Sequence, residues 1–240
     1  MTGDMKGQTN GRMNRSENSG LHAGRLTNAE LAQRLFLYVV TDERTDAAEL
    51  LPILEQAIRG GATAVQLRRK AELGKRFIEI GQAIRTLTRE NGVLFFVNDR
   101  VDVAALVEAD GVHVGQDDIS CEDARRLLGP DMYIGVSAET VTEALEAQRQ
   151  GADYLGVGAV YPTLSKPDAG FTGLDGLRQI RDAVNIPVVA IGGISHDNAT
   201  AVMSAGAHGI AVVSAIMSAA EPARAAEDFV RSLRTGSFSG

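Results

Sequence analysis

Polar side chains collect at the ends of apolar runs in this chain. The run "AVQLRRK" closes on Gln66, Arg68 and Lys70, and "VLFFVNDR" closes on Asn98 and Asp99. "GVHVGQDD" ends in Asp117 and Asp118, "YIGVS" delivers Ser137, and "YPTLSK" brings Thr163, Ser165 and Lys166. Two carboxylates from separate runs, Asp99 and Asp118, suit a hard divalent cation. Mg²⁺ takes one or two carboxylates and completes its shell with water and phosphate oxygens. Arg68, Lys70 and Lys166 supply positive charge for a polyanion, so the set reads as a diphosphate site. A second anion position is expected where "AIGGI" passes Gly192 and Gly193 and "AVVSA" ends at Val213 and Ser214. Backbone N–H groups and helix starts bind anions there, and glycine keeps side chains out of the way.

These groups need a scaffold that brings the run ends together. From Leu35 on, eight short runs rich in Val, Ile, Leu and Phe alternate with stretches of helical period: "LFLYVVT", "ATAVQLR", "VLFFVN", "GVHV", "YIGVS", "DYLGVG", "PVVAIG" and "HGIAVVS". Thr140 with Glu143 predicts a capping box and Gly151 a helix stop, with Ser195 as N-cap and Gly206 as stop of a later helix. Strands alternating with helices imply right-handed βαβ units. Eight of them predict an α/β chain with a single (β/α)8 TIM barrel, whose chemistry sits at the C-terminal strand ends. The first run ends in "VVTDERTD", which is not the phosphate loop of a doubly wound sheet.

Composition narrows the class. Residues 1–26 are poor in apolar groups and are expected to form a disordered N-terminal tail, with the barrel at 27–240. The formal charge of −7 argues against non-specific nucleic-acid binding. No apolar run approaches the roughly 18 residues of a membrane span. A single cysteine, Cys121, excludes an internal disulfide and favours a cytoplasmic location. Oligomeric state is not legible.

Ordinary roles compete with these. Strand-end Asp and Asn often cap helices or form turns, and Arg68 with Asp99 would make a structural ion pair. Gly192 and Gly193 could simply make a tight turn. His113, inside a run, is expected to be a hydrogen-bonded core residue, and Cys121 an inert thiol.

The motifs "QLRRK", "FFVNDR", "GVHVGQDD", "GVSAET", "GADYLGVGAVYPTLSK", "VVAIGGI" and "GIAVVSAI" resemble, in order, those of the thiamine-phosphate synthase family. The resemblance implies a (β/α)8 barrel that joins a hydroxymethylpyrimidine diphosphate to a hydroxyethylthiazole phosphate, with Mg²⁺, releasing pyrophosphate. It implies that Gln66, Arg68, Lys70, Asn98, Ser137 and Lys166 contact the pyrimidine diphosphate. Of these, Arg68, Lys70, Lys166 and Ser137 would assist the chemistry. Asp99 and Asp118 match metal ligands; Thr163, Ser165, Gly193, Val213 and Ser214 match the thiazole-phosphate site. Arg69, Ala159 and Ser165 depart from the family's usual Glu, Pro and Thr. A thiazole tautomerase-like isomerase, a non-catalytic barrel that binds thiamine precursors and a sugar-phosphate isomerase stay open as alternatives.

Overall fold

The computed structural model describes residues 25–43, 47–72, 74–163 and 170–236. Eight parallel strands close into a barrel in sequence order: β1 (Leu37–Val40), β2 (Ala64–Leu67), β3 (Leu94–Asn98), β4 (Gly111–Val114), β5 (Tyr133–Ala138), β6 (Tyr154–Val157), β7 (Val188–Ile191) and β8 (Gly209–Val212). Around them lie α1 (Asn28–Arg34), α2 (Ala47–Arg59), α3 (Gly74–Glu90), α4 (Val101–Leu106), α5 (Cys121–Leu128), α6 (Val141–Arg149), α7 (Gly173–Ala183), α8 (Ala199–Ser204), α9 (Ser214–Met217) and α10 (Pro222–Gly236). Each of the eight expected runs coincides with one strand, β5 running one residue past its run to Ala138. No helix among the described residues is long and apolar enough to cross a membrane.

Alternation along each strand divides the core in two. Leu37, Val39, Val65, Leu67, Phe95, Val97, Val112 and Val114 point outward and pack under the helices. Tyr38, Val40, Ala64, Leu94, Phe96, Tyr133, Tyr154, Val189 and Ala211 fill the barrel interior. Rings occupy that interior because glycines make room for them. A Cβ on Gly135 would lie 2.1 Å from the Tyr154 ring, one on Gly111 2.8 Å from Phe96, and one on Gly156 2.8 Å from His113.

Helix ends follow local chemistry. Thr140 and Glu143 form the expected capping box on α6, and Gly151 and Gly206 take positive φ just past their helices. Ser195 is not an N-cap. α8 begins at Ala199, and the Asn198 side chain holds the turn before it, accepting from Ser195 N at 2.8 Å and donating to Gly193 O at 3.0 Å. The Ser195 amide is therefore already engaged. Of the expected tail, residues 1–24 lie outside the described residues; Arg25 and Leu26 are docked, Leu26 N donating to Tyr133 Oη at 2.8 Å.

The lower rim is tied by one device used twice. Asp110, before β4, accepts from Phe95 N on β3 at 2.8 Å and takes both Arg85 nitrogens from α3 at 2.8 and 3.2 Å. Asp153, before β6, accepts from Ile134 N on β5 at 2.7 Å and Arg125 from α5 at 2.6 Å. Arg25 also binds Asp153. Each carboxylate joins two strands and a helix at a largely dry rim. Removing it leaves a part-buried cation without its counter-charge and a strand amide without its acceptor. Asp153→Ala is expected to destabilise by about 3 kcal/mol, a fall in Tm of roughly 6–12 °C for a domain this size. Thermal unfolding followed by circular dichroism checks this.

Candidate active site

The C-terminal strand ends enclose one cavity of about 230 Å³. Its lining gathers Gln66 from β2, Arg68 and Lys70 beyond it, Asn98 and Asp99 from the end of β3, and Asp117 and Asp118 after β4. Ser137 from β5, Thr163 after β6, Gly193 after β7, and Val213 and Ser214 after β8 complete the set. Seven different strand ends converge only because the barrel closes. Ser165 and Lys166 lie outside the described residues.

The acidic pair is close and poorly compensated. Asp99 has a φ of 58°, a left-handed conformation that aspartate tolerates better than most residues. Its amide donates to His113 O at 2.9 Å, and Arg100 N bonds Asn98 O at 2.6 Å, which fixes the turn. Burial pushes the Asp99 carboxyl above the ordinary carboxylate range. Hydrogen bonding and like charge from Asp118 push the same way, and Lys70 opposes them. Lys70 Nζ stands 3.3 Å from Asp99 Oδ2, so Lys70 rather than Arg68 makes the ion pair there. One Asp118 oxygen accepts from Gly115 N at 2.8 Å. The turn-forming role expected of such residues is thus real for Asp118, and the carboxylate still faces Asp99. Two carboxylate groups match the donor set of Mg²⁺; among the described residues no larger His, Cys, Asp and Glu cluster exists.

Across the mouth, Gly192 and Gly193 have φ of 99° and 64°. The segment after β6 crosses them closely: Val160 N bonds Ile191 O at 3.0 Å and Tyr161 N bonds Gly192 O at 3.1 Å. A Cβ on Gly193 would lie 2.5 Å from Pro162 O. Both glycines are required by backbone conformation and by this crossing, whatever Gly193 does for a ligand.

The floor holds three residues that the strand-end rule did not select. Gln66 Nε2 donates to Tyr38 Oη at 3.0 Å, and Tyr38 Oη meets Tyr154 Oη at 3.0 Å. Tyr154 Oη meets His113 Nδ1 at 3.0 Å, and His113 Nε2 meets Ser137 Oγ at 3.0 Å. His113 is hydrogen-bonded in the core as expected, and it also lines the cavity. Strand parity was the available signal, since Tyr38, His113 and Tyr154 share the inward face with Gln66 and Ser137. Glu139 lines the cavity too and accepts from Gly170 N at 2.9 Å. Cys121 is buried, and burial pushes its thiol up to about 11, which matches an inert role.

Residues 37–216 match a family model described as thiamine monophosphate synthase. Thiamine-phosphate synthase from Moorella thermoacetica is 53% identical over 192 residues, 79% of this chain and 91% of that protein. The enzyme of the same name from Chloroflexus aurantiacus is 55% identical over 192 residues, 79% of this chain and 88% of that protein. The solved thiamine phosphate pyrophosphorylase from Pyrococcus furiosus superposes with a TM-score of 0.79 at 45% identity, covering 86% of this chain and 98% of that one.

The mutual repulsion of the acidic pair is directly measurable. Without added metal, Asp118→Asn should bring the Asp99 titration down toward 3.8, because it removes a like charge. Lys70→Ala should move it further up. Carboxyl ¹³C NMR across an acid titration reads both shifts; an unmoved Asp99 in both variants would show that the two groups do not interact.

Proposed function

Because this chain belongs to the thiamine monophosphate synthase family, we propose that its barrel mouth joins a pyrimidine carrying a diphosphooxymethyl group to a thiazole carrying a phosphooxyethyl group. The activity is that of a thiamine-phosphate synthase, a transferase. The specific substrates are supported by one observation above all: a paired carboxylate site beside Arg68 and Lys70 shares a single cavity with the Gly193 and Ser214 segments. Two anions of different character have a place in one mouth.

The bond to be broken joins the pyrimidinylmethyl carbon to a diphosphate oxygen. The aminopyrimidine donates electrons toward that carbon as the bond lengthens, and the thiazole nitrogen captures it. Pyrophosphate carries away the electron pair. Arg68, Lys70 and Lys166 neutralise charge growing on the leaving group, and the Ser137 hydroxyl donates to one of its oxygens. Gln66 and Asn98 hold the pyrimidine diphosphate. Thr163, Ser165, Gly193, Val213 and Ser214 hold the thiazole phosphate, so that its nitrogen lies near the carbon it attacks. Asp99 and Asp118 would hold Mg²⁺, and their repulsion is the physical reason they would take a cation. Bound there, Mg²⁺ would neutralise diphosphate charge. No protein nucleophile is needed, and the buried Cys121 offers none. Among the described residues no helix is long and apolar enough to cross a membrane; the single cysteine supports a cytoplasmic location.

Incubation with both substrates and Mg²⁺ is expected to yield thiamine phosphate and pyrophosphate in equal amounts. An isomerase acting on the thiazole alone, or a barrel that only binds precursors, would release no pyrophosphate. Lys166→Ala should lower kcat by about a hundred- to thousandfold, the usual cost of losing one preorganised electrostatic donor. Asp118→Ala should raise the Mg²⁺ concentration needed for half-maximal rate; an unchanged Mg²⁺ titration would remove Asp118 from the metal site.

A further inference from the structure

The hydrogen bonds beneath the mouth form one unbroken line from Gln66 to Ser137, and in its forward sense each group passes one proton along. Gln66 Nε2 donates to Tyr38 Oη. A phenol has one proton to give, and in this sense Tyr38 passes its own to Tyr154, 3.0 Å away, where either oxygen can donate. Tyr154 in turn donates to His113 Nδ1 at 3.0 Å. Nδ1 is then an acceptor, and the neutral imidazole carries its proton on Nε2, which donates to Ser137 Oγ at 3.0 Å. With a lone pair of Ser137 taken from below, its own proton is left for the cavity. Burial pushes the ionisation of both phenols to higher pH, so neither loses its proton near neutrality. The Tyr154 and His113 rings occupy the space that a Cβ on Gly135 or Gly156 would take.

We propose that Tyr38, Tyr154 and His113 are positioning residues, a one-way chain that ties the orientation of the Gln66 amide on one side of the mouth to the Ser137 proton on the other. The fully reversed sense is the main competitor. Turning the Gln66 amide over puts its oxygen on Tyr38 and reverses every donor in line. His113 would then carry its proton on Nδ1, Ser137 would donate downward, and only lone pairs would face an anion. The forward sense offers a ligand the Gln66 Oε1 acceptor and the Ser137 O–H donor together. That combination fits a ring bearing an N–H donor at one end and a phosphate at the other, which rests on the function proposed above. The order of the protons does not.

Ligand-free ¹⁵N-histidine NMR tests the order, with the His113 signals assigned by their loss in His113→Asn. Wild-type protein should show His113 with its proton on Nε2. Gln66→Glu, measured with the introduced carboxyl ionised, has no donor to start the chain, so His113 should switch to Nδ1, three hydrogen bonds away. Tyr154→Phe in the Gln66→Glu background should cut the transmission and return the proton to Nε2. Mg²⁺–pyrophosphate affinity should fall about ten- to hundredfold in Gln66→Glu and partly recover in the double variant, a recovery that added negative charge alone cannot produce. Circular dichroism confirms that each variant folds. An Nδ1 proton in the wild type, or an Nε2 proton retained in Gln66→Glu, would overturn the proposal. If the tautomers behave as expected and pyrophosphate does not bind at all, the chain stands and the assigned substrate fails.

Discussion

The interior of an eight-stranded barrel must be filled by side chains to the density of a solid, and how this one is filled determines the site. Tyr38, Phe96, Tyr154 and His113 lie against one another at mid-height, with ring centroids 5.3–6.2 Å apart. They can do so because three inward positions are glycine. Rings held this tightly cannot rotate away, so their polar atoms fall on a fixed line from Gln66 to Ser137. The cavity above that layer has a floor of set polarity before any ligand enters.

The two ends of the barrel use the same residue type to opposite effect. Asp110 and Asp153 at the lower rim are satisfied by guanidinium groups and strand amides, and they serve stability. Asp99 and Asp118 at the upper rim face each other with one half-exposed lysine, Lys70, on Asp99, and burial with like charge raises Asp99. A carboxylate with its full complement of donors has nothing to offer a cation. A pair kept short of donors costs stability until a cation or proton arrives. That contrast separates the functional end from the structural one without reference to any relative.

Much of this was legible in the chain. Hydrophobic runs marked all eight strands, and "GVHV" coincided with β4 to the residue. The rule that chemistry sits at strand ends selected residues that do line one cavity. It failed where a side chain's partner lies on another strand. Lys70 takes Asp99, a place considered for Arg68. Asn198 replaces Ser195 in holding the turn before α8, since an Asx side chain satisfied two backbone groups at once. His113 was placed in the core correctly, yet its contact with Ser137 could not be read from a strand pattern.

Sequence alone determined the elements, the inward parity of each strand and the chemical types available at the upper rim. These are local properties, set by the two-residue period of a strand and by the caps and glycines of neighbouring turns. Tertiary structure decided which groups meet: the facing of Asp99 and Asp118, and the ordered line from Gln66 through two tyrosines and a histidine to Ser137. The reason is barrel closure, since the stagger that brings one strand's side chain level with another's depends on all eight strands at once.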